Sequence, residues 1–423
     1  MLPLCKTMGS STNKPDKLEE EDVQTSPKLT SVTDSIVKPV VVLPTPAADT
    51  DIPARDVVRP VTESKHVVKG TEVELFGMRP RCLHHNLWTP YTEPMVMATE
   101  WTLLADPLPR PPQSEFENLA AIQTITEHLE LFEIISPMNV GVLEELTTAH
   151  PNRVFVRSVL EGLSNGFWPW ASTVKEGYPL MWDESRCIQL SPEKEEFMRK
   201  QVKHEVSMGR MSHEFGTNIL PGMYCMPNYV VPKPHTDDLR LVNDLSAGPY
   251  SLNSMVDHQS VVGYPMDNLS QLGELLLRNR DQNPGKRFVV WKSDVAEVYR
   301  ICPMHILWQL KQALRVKGSL RIERVNVFGG SGSGAIFILL NALVAWIEKY
   351  KELIKCLIYM ADSFGVEEEG VVERYEPYKE VYPAWQMQLL KLWDRIGIPH
   401  KEKKQLSGGT LMVLGVEVNV NNL

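Results

Sequence analysis

From about residue 151 onward, apolar positions recur with the spacing of a folded domain. Short apolar runs bounded by turn residues predict strands, and longer runs with helical periodicity predict helices. The predicted elements are, in chain order, a helix over Glu193–Gly209, strands over Tyr224–Val231, Leu239–Asn243 and Phe288–Ser293, a hairpin of Leu307–Val316 with Leu320–Val327, a helix over Ala335–Lys349, a hairpin of Ile354–Tyr359 with Ser363–Val366, a helix over Ala384–Ile396 and a strand over Leu411–Val420. Two helices on one face of an antiparallel sheet make an α+β fold, which is the class that this pattern predicts.

The first 150 residues have a different pattern. Residues 1–75 contain no Phe, Trp or Tyr and are rich in Ser, Thr, Pro, Lys and Glu. We predict a disordered, acidic and polar tail there, because it cannot bury enough apolar surface to offset the entropy of ordering. Residues 76–150 form a partly helical segment of unknown role, with helix-like spacing over Glu115–Leu146. The Cys82–His85 cluster has side chains of the zinc-ligand type but no second half, which favours a chance surface cluster.

One apolar stretch raises the question of a membrane span. Its apolar part, Ala335–Ile347, is 13 residues long and includes Asn341. A spanning helix needs about 20 mostly apolar residues, so we predict a buried core helix. The N-terminus lacks the apolar segment of a secretory signal, and the six cysteines contain no C-x-x-C pair. These features predict an intracellular protein of the nucleus or cytoplasm that is neither secreted nor bound to a membrane.

The charges are unevenly distributed along the chain. The net charge is −9, but residues 151–423 hold 32 Lys and Arg against 31 Asp and Glu. Within that part, Arg278–Arg324 holds 11 basic and 4 acidic residues, a local balance of +7. Such a stretch is compatible with binding to a phosphate polymer, although the whole chain is acidic.

Two aspartates lie at predicted strand ends. Asp294 follows an apolar strand, and Asp362 lies in the predicted hairpin turn Met360-Ala361-Asp362. Two such carboxylates side by side can hold two divalent ions about 3.5–4 Å apart, as in nucleotidyl transfer. Two solvated strand-end aspartates without a ligand are the alternative.

The surrounding motifs resemble those of reverse transcriptases, in the same order. They are VVPKPHTDDLRLVNDLSAGPYSLN (230–253), VVWKSDVAEVY (289–299), FGGSGSGAIF (328–337), YMAD (359–362), LWDRIGIPHKEKKQ (392–405) and VLGVEV (413–418). The resemblance covers roughly 151–420, and its finer features are similar to those of retrotransposon polymerases of the fungal tyrosine-recombinase type. It implies a fingers-like region over 151–287. It also implies a palm-like region over 288–423 with a ferredoxin-like antiparallel sheet, ending near the primer-grip strand.

The resemblance implies a catalytic centre. Asp294 and Asp362 would be the catalytic residues and the ligands of two Mg²⁺ ions in an RNA-directed DNA polymerase. A lysine among residues 401–404 would protonate the leaving pyrophosphate.

The resemblance also implies nucleotide-binding residues and partners. Lys233 and Arg240 would bind the triphosphate, Tyr299 would check the sugar, and Gly329 would lie in the loop that contacts the nucleotide. The partners would be a dNTP and an RNA or DNA template–primer; the sequence names no protein partner. Without the resemblance, a core tyrosine is the favoured interpretation of Tyr299, and a flexible turn is the alternative for the Gly-rich loop.

Three departures from the family pattern predict an impaired enzyme. Ala361 stands where the family has the first Asp of Tyr-x-Asp-Asp, and Asp362 is offset by one residue, so its side chain is expected to point elsewhere. Gly334 replaces the usual Pro. The chain ends at Leu423, which leaves no room for a thumb or an RNase H domain. We therefore expect a truncated and catalytically impaired reverse transcriptase.

Other functions remain open on the sequence alone. The Arg278–Arg324 stretch is compatible with a non-catalytic nucleic-acid-binding remnant of a mobile element. The acidic N-terminal half is compatible with a protein-interaction role. A reading frame without a selected function would have much the same sequence.

Overall fold

Short helices and strands follow one another through the described part of the chain, which is residues 97–186, 190–233 and 238–421 of a computed structural model. The α-helices there are α1 (Ala98–Trp101), α2 (Gln113–Phe116), α3 (Leu119–Glu127), α4 (Val140–Leu146), α5 (Arg153–Asn165), α6 (Pro192–Ser207), α7 (Leu269–Gln282), α8 (Ile306–Gln309), α9 (Ser333–Tyr350) and α10 (Ala384–Ile396). The strands are β1 (Trp182–Asp183), β2 (Tyr224–Cys225), β3 (Asn228–Pro232), β4 (Leu239–Asn243), β5 (Phe288–Asp294), β6 (Ala313–Val316), β7 (Ser319–Ile322), β8 (Leu357–Tyr359), β9 (Asp362–Glu368), β10 (Val372–Tyr375), β11 (Glu380–Pro383), β12 (Leu406–Gly408), β13 (Thr410–Val413) and β14 (Val416–Asn419). The predicted tail over residues 1–75 and the Cys82–His85 cluster lie outside the described residues.

A four-stranded sheet in the order β12-β5-β9-β8 is the centre of the C-terminal half. All its neighbouring strands are antiparallel. The β5–β9 pair is the longest, and its register runs from Phe288 opposite Glu368 to Asp294 opposite Asp362. The fold is thus mixed α/β, and this sheet contains the two strand ends that the sequence singled out.

The two faces of this sheet pack against different parts of the chain. Trp291 is fully buried in the same core as the apolar residues of α9 and α10. Phe288 and Val290 point to the other face, because side chains alternate along a strand, and they pack with Leu272 of α7. Along that second face, β5 changes from apolar residues to Asp294 at its end. The charged end of the strand therefore lies where the apolar cover stops.

Helix α9 has apolar residues on all its sides, which fits its position inside the protein core. Most of its residues are buried, including Asn341, as the prediction of a core helix expected. By length and composition alone this helix could cross a membrane, but its burial is that of a core helix.

Helix α10 ends where the sequence predicted. Gly397 follows its last residue with a φ of +82°, the left-handed conformation that glycine adopts at helix ends. A Cβ on this glycine would overlap the carbonyl oxygen of Pro137, so the position accepts no larger residue without a shift of the backbone.

A second sheet and separate hairpins complete the described fold. Strands β1, β2, β6 and β7 form the second sheet, in which β6 and β7 turn tightly at Lys317-Gly318 as predicted. Both turn residues have positive φ, as a two-residue turn of this type requires. The β3–β4, β10–β11 and β13–β14 hairpins pair only within themselves.

Four predictions were wrong in extent. In the predicted hairpin of Leu307–Val316 with Leu320–Val327, the first strand begins only at Ala313, after helix α8, and the second strand ends at Ile322. Glu115–Leu146 is divided among α2, α3 and α4, because Asn118 and Asn139 each cap a new helix start. The predicted strand Tyr224–Val231 is interrupted between β2 and β3, at a proline that cannot donate to a ladder. The predicted last strand, Leu411–Val420, is the hairpin β13–β14, since the two residues of its turn, at 414 and 415, both have positive φ.

Near the end of α9, Glu348 is a completely buried carboxyl group. Its Oε2 accepts a hydrogen bond from the Cys356 thiol (Sγ–Oε2 3.1 Å), and Oε1 accepts one from Trp393 Nε1 (3.3 Å). Burial raises the pKa of Glu348 from 4.5 to about 7. This group therefore keeps its proton in the folded chain at pH values where the unfolded chain releases it.

Replacing Glu348 with glutamine is expected to stabilise the fold at pH 8. Because the folded-state pKa is above the unfolded value, the stability that the glutamate contributes is complete below about pH 4.5 and is lost as the pH rises through about 7. At pH 8 this loss of stability amounts to roughly 3 kcal/mol. A glutamine does not titrate, so the variant does not undergo the loss. Urea unfolding at pH 6 and pH 8 measures this, with Glu352→Gln, a residue in a partly exposed ion pair, as control. Equal stabilities of wild type and E348Q at pH 8 would contradict the expectation.

Candidate active site

The two predicted aspartates lie directly opposite each other on neighbouring strands. Asp294 is the last residue of β5 and pairs with Asp362, the first residue of β9. Asp362 also pairs with Tyr359 at the end of β8, so the β8–β9 turn consists of Met360 and Ala361 only. Directly opposite residues of an antiparallel pair point to the same face of the sheet. The structure therefore brings the two carboxyl groups together at one end of the sheet.

This arrangement corrects two expectations about Asp362. The residue lies in strand β9 and not in the turn, and its side chain does not point away from Asp294. The physical reason is the tightness of the turn, in which Met360 adopts a φ of +52° that non-glycine residues rarely take. A two-residue turn returns the chain one residue earlier than the predicted three-residue turn, and so places Asp362 in register with Asp294.

The turn beside the carboxylates is held from both sides. The Asn341 side-chain amide in α9 donates to the carbonyl oxygen of Met360 (2.8 Å). The backbone N–H of Val295, immediately after Asp294, donates to the carbonyl oxygen of Ala361 (3.0 Å). Buried amide groups are usually hydrogen-bonded, and this bond explains the one polar side chain in the middle of an apolar helix.

Each carboxylate is paired with a lysine. Lys404 Nζ lies 2.6 Å from Asp294 Oδ1, and Lys292 Nζ lies 3.1 Å from Asp362 Oδ2. Burial raises the pKa of Asp362, the Lys292 ammonium lowers it, and the Asp294 carboxylate raises it further; the net shift is upward. We call these four residues, Asp294, Asp362, Lys292 and Lys404, the charge quartet.

The residues present do not fit the two-metal site that the resemblance implies. Two Mg²⁺ ions need an excess of anionic oxygen ligands, whereas the charge quartet is neutral overall. Ala361 has no side-chain oxygen. Among residues 97–186, 190–233 and 238–421, no group of three or more His, Cys, Asp or Glu side chains is arranged to hold a metal ion.

Tyr299 lies against the Gly-rich loop. Its ring packs on Phe328 at a centroid distance of 4.8 Å and on Phe337 at 6.2 Å. A Cβ at Gly334 would lie 3.9 Å from the Tyr299 hydroxyl, so this small residue leaves the hydroxyl uncovered on that side. The tyrosine is half-buried, and burial raises its pKa. Its burial is thus intermediate between that of a core tyrosine and that of an exposed nucleotide-binding residue, the two interpretations that the sequence offered.

The Gly-rich loop is anchored to the end of the β3–β4 hairpin. Gly329 has a φ of +112°, and a Cβ there would overlap the backbone carbonyl oxygen of Asn243, the last residue of β4. The Asn253 side chain bridges the loop, because its Nδ2 donates to the Gly329 carbonyl (2.8 Å) and its Oδ1 accepts from the Ser331 N–H (2.8 Å). A glycine is required here by both backbone conformation and space.

Lys233 and Arg240 lie on one face of the β3–β4 hairpin. Arg240 is opposite Val231, and Lys233 is the residue after the end of β3, two positions from Val231. The Lys233 N–H donates to the carbonyl oxygen of Asp238 (2.7 Å), so the hairpin pairing continues to this position and the two basic side chains are diagonal neighbours. Lys233 Nζ forms an exposed ion pair with Asp238 Oδ2 (3.2 Å). The other end of this hairpin, Asn228 opposite Asn243, is the end that touches the Gly-rich loop. The basic pair thus lies at the opposite end of the hairpin from the Gly-rich loop.

Buried charges fix the segment that follows Asp294. Arg300 Nη2 lies 2.7 Å from Glu205 Oε2 and 2.9 Å from Glu323 Oε2, with all three side chains at most 10% exposed. Arg210 extends this network to Glu297 (Nη1–Oε2 2.6 Å). We call these five residues the buried ion network. Since Glu297 and Arg300 flank Tyr299, the network holds the tyrosine in place.

The basic stretch Arg278–Arg324 does not form a free basic surface. Nine of its eleven basic side chains form ion pairs with carboxylates. A tenth, Lys311, is buried and donates to the carbonyl oxygen of Gly222 (2.8 Å). Eight of the nine pairs use a carboxylate from outside the stretch, so the local excess of +7 is largely compensated in space.

The sequence analysis missed Lys292 and Asn341 as residues of this site, and it missed the ion pair of Lys404 with Asp294. Lys292 could have been found, because it is the single charge inside an apolar strand and lies two positions before Asp294, on the same face. Asn341 carried a similar signal, because it is the one polar residue in the middle of an apolar helix. The pairing of Lys404 with Asp294 had no local signal, since 110 residues separate the partners.

Comparison with known proteins gives no family assignment. No protein-family model matches the chain, and no curated protein matches it.

Solved structures that are similar to the chain include those of a foamy viral protease–reverse transcriptase. One in complex with an RNA/DNA hybrid is 13% identical, with a TM-score of 0.42, and covers 79% of this chain and 37% of its own. A second, in complex with dsDNA, is 14% identical with a TM-score of 0.41, covering 77% and 54%. The native Prototype Foamy Virus protein is 14% identical with a TM-score of 0.39, covering 78% and 36%. The chain thus spans about half or less of the length of these proteins, and similarity at this level assigns neither a family nor an activity.

Proposed function

We propose that this chain is a reverse-transcriptase-type domain derived from a retroelement, with impaired nucleotidyl transfer. The observation that carries the proposal is the cross-strand pair of Asp294 and Asp362 at the end of an antiparallel sheet. If α8, β6 and β7 after β5, and the β10–β11 hairpin after β9, are taken as insertions, the succession β5, α9, β8, β9, α10 and β12, with the strand order β12-β5-β9-β8, also supports it. This succession matches the βαββαβ order of a ferredoxin-like unit, which the resemblance implies for the palm.

The impairment follows from the side chains at the sheet end. Ala361 offers no oxygen where the family has a metal-binding Asp, and the two remaining carboxylates have lysine partners. Loss of one metal carboxylate corresponds to several kcal/mol of transition-state stabilisation, or roughly 10³-fold in rate.

We assign the remaining site residues as binding groups. Lys233 and Arg240 would bind the triphosphate through their shared face of the β3–β4 hairpin. Tyr299 would lie beside the sugar, with Gly329 in the adjoining loop. The partner would be an RNA or DNA template–primer in an intracellular compartment.

Primer extension on poly(rA)/oligo(dT) with Mg²⁺ or Mn²⁺ tests the proposal. We expect no detectable extension by the wild type and measurable extension by Ala361→Asp, a gain of about 10³-fold. The gain should disappear in the A361D/D294A double variant, because the regained carboxylate acts together with Asp294. The matched control is Ala384→Asp, which adds the same charge at the start of α10, away from the turn.

Two results would contradict parts of this proposal. Extension by the wild type that Asp294→Ala abolishes would show that Asp362 suffices and that the enzyme is active. No extension by A361D or by A361D/K292M, which also lacks the ammonium group beside Asp362, would remove the polymerase interpretation, provided that both variants fold and bind the template–primer as tightly as the wild type. The non-catalytic binding alternative has lost its main support, because the basic stretch is largely ion-paired.

A further inference from the structure

Lysines take the place of external cations in the charge quartet. Lys404 lies 2.6 Å from Asp294 and Lys292 lies 3.1 Å from Asp362, which are charge-assisted hydrogen-bond distances. All four side chains are 21% to 36% exposed, so water screens them only in part. The two carboxylates are therefore already compensated by ammonium groups of the chain itself.

The backbone determines where both lysines lie. Lys292 is two residues before Asp294 in β5, opposite Phe364, so the strand directs its side chain to the carboxylate face. Lys404 ends a short 3-10 helix immediately before β12, and the next strand residue, Leu406, pairs with Lys292. The strands of the sheet thus position one lysine ammonium group beside each carboxylate.

A divalent ion meets an electrostatic obstacle at this position. The charge quartet has two positive and two negative side chains, so an added divalent ion would leave two uncompensated positive charges in a partly shielded site. Like charges a few ångströms apart repel each other strongly where water screens them only in part. Binding of the ion therefore requires that at least one ammonium group leaves.

We propose that Lys292 and Lys404 are built-in counter-ions, and that Lys292 excludes a divalent cation from the Asp294–Asp362 pair. Removing its ammonium group creates a site for one divalent cation, held by the two carboxylates. The inference concerns ion binding by four side chains and does not depend on descent from a polymerase.

Direct Mn²⁺ binding tests the proposal, measured from the loss of the free-ion EPR signal in the full chain. The variant is Lys292→Met, which removes the charge and keeps an unbranched apolar side chain. We expect the wild type to bind no Mn²⁺ at this site up to about 1 mM, and K292M to bind one ion at least tenfold more tightly. The same ion should raise the melting temperature of K292M and leave that of the wild type unchanged.

Matched variants locate the ion. Lys286→Met removes the lysine that pairs with Glu368 at the opposite end of β5 and β9, and it should behave as the wild type. K292M/D294N should lose the gained ion. If K292M does not fold, Lys404→Met tests the same expectation from the other side of the pair.

Three results would overturn the inference. They are Mn²⁺ binding by the wild type as tight as by K292M, a gained ion that D294N does not remove, and no gain from the folded K292M and K404M variants. A gained ion in K292M without primer extension by any variant would support this inference and contradict the proposed function, so the two are tested separately.

Discussion

Replacing Arg300 with methionine is expected to lower the free energy of unfolding by about 3–5 kcal/mol. Arg300 lies between Glu205 and Glu323, and burial raises the pKa of Glu323 while the guanidinium opposes that shift. Without the guanidinium, the cation left near the two buried carboxylates is Arg210, 3.9 Å from Glu205, and Gln201 Nε2 still donates to Glu205 Oε1 (2.6 Å). The carboxylates must then remain charged without a close cation or take up protons. The deficit should therefore be larger at pH 8 than at pH 5.5.

Urea unfolding at the two pH values measures this effect. The triple variant R300M/E205Q/E323Q removes the charges together and should recover most of the lost stability, because burying neutral groups costs less than burying an unpaired charge. Arg199→Met serves as the control, since its partner Glu196 lies on the exposed side of α6, and no measurable change is expected. A loss of stability in R300M no greater than in the control would show that the buried ion network does not support the fold.

The second large effect is expected from Gly329→Ala. The new Cβ would overlap the Asn243 carbonyl oxygen, and the φ of +112° is one that alanine rarely adopts. The loop would have to move, which breaks the two hydrogen bonds to Asn253. We expect a loss of at least about 3 kcal/mol in unfolding free energy, from backbone strain and the lost bonds together.

A second glycine distinguishes the effect of steric overlap from the effect of backbone conformation. Gly285 has a similar positive φ of +84°, but a Cβ there would meet nothing within 4 Å. Gly285→Ala should therefore lower the free energy of unfolding by only about 1–2 kcal/mol, which is the conformational cost of an alanine in the left-handed region. Equal losses in the two variants would indicate that conformation alone matters and that the contact of the Gly-rich loop with Asn243 has no energetic role.

Elements with local signals were predicted well from the sequence. Strand β4 has the predicted bounds, β5 ends at Asp294, and α10 ends before Gly397. These signals reside in a few neighbouring residues: an apolar run with a charge after it, or a glycine that terminates a helix. Predictions were less accurate where a cap or a turn lay inside an apolar pattern, as at Asn118 and at the β13–β14 turn.

The candidate site was predicted in part. The sequence placed Asp294 at the end of a strand and Asp362 in a hairpin turn; the structure makes Asp362 the first residue of β9 and places it opposite Asp294. Whether Asp362 faces Asp294 depends on the length of the β8–β9 turn, because a shift of one residue moves a side chain to the other face of a sheet. That length is set by the contacts of Asn341 and Val295 with the turn, and these contacts come from distant parts of the chain.

The charge of the basic stretch likewise differs between the sequence and the tertiary structure. Its excess of +7 is correct as a sum along the chain, but ion pairs form between residues that are neighbours in space. Glu133, Asp183 and Glu214, which neutralise arginines of the stretch, lie about 100 residues or more before their partners.

The sequence by itself determined the order of the longer helices and of most strands after residue 190, the position of Asp294 at a strand end, and the absence of an oxygen ligand at Ala361. These properties depend on residue identity and on local periodicity. Only the tertiary structure decided the cross-strand register of Asp294 with Asp362, the lysine partner of each carboxylate and the compensation of the basic stretch. All three depend on contacts between segments far apart in the chain, and such contacts are fixed by packing of the whole domain.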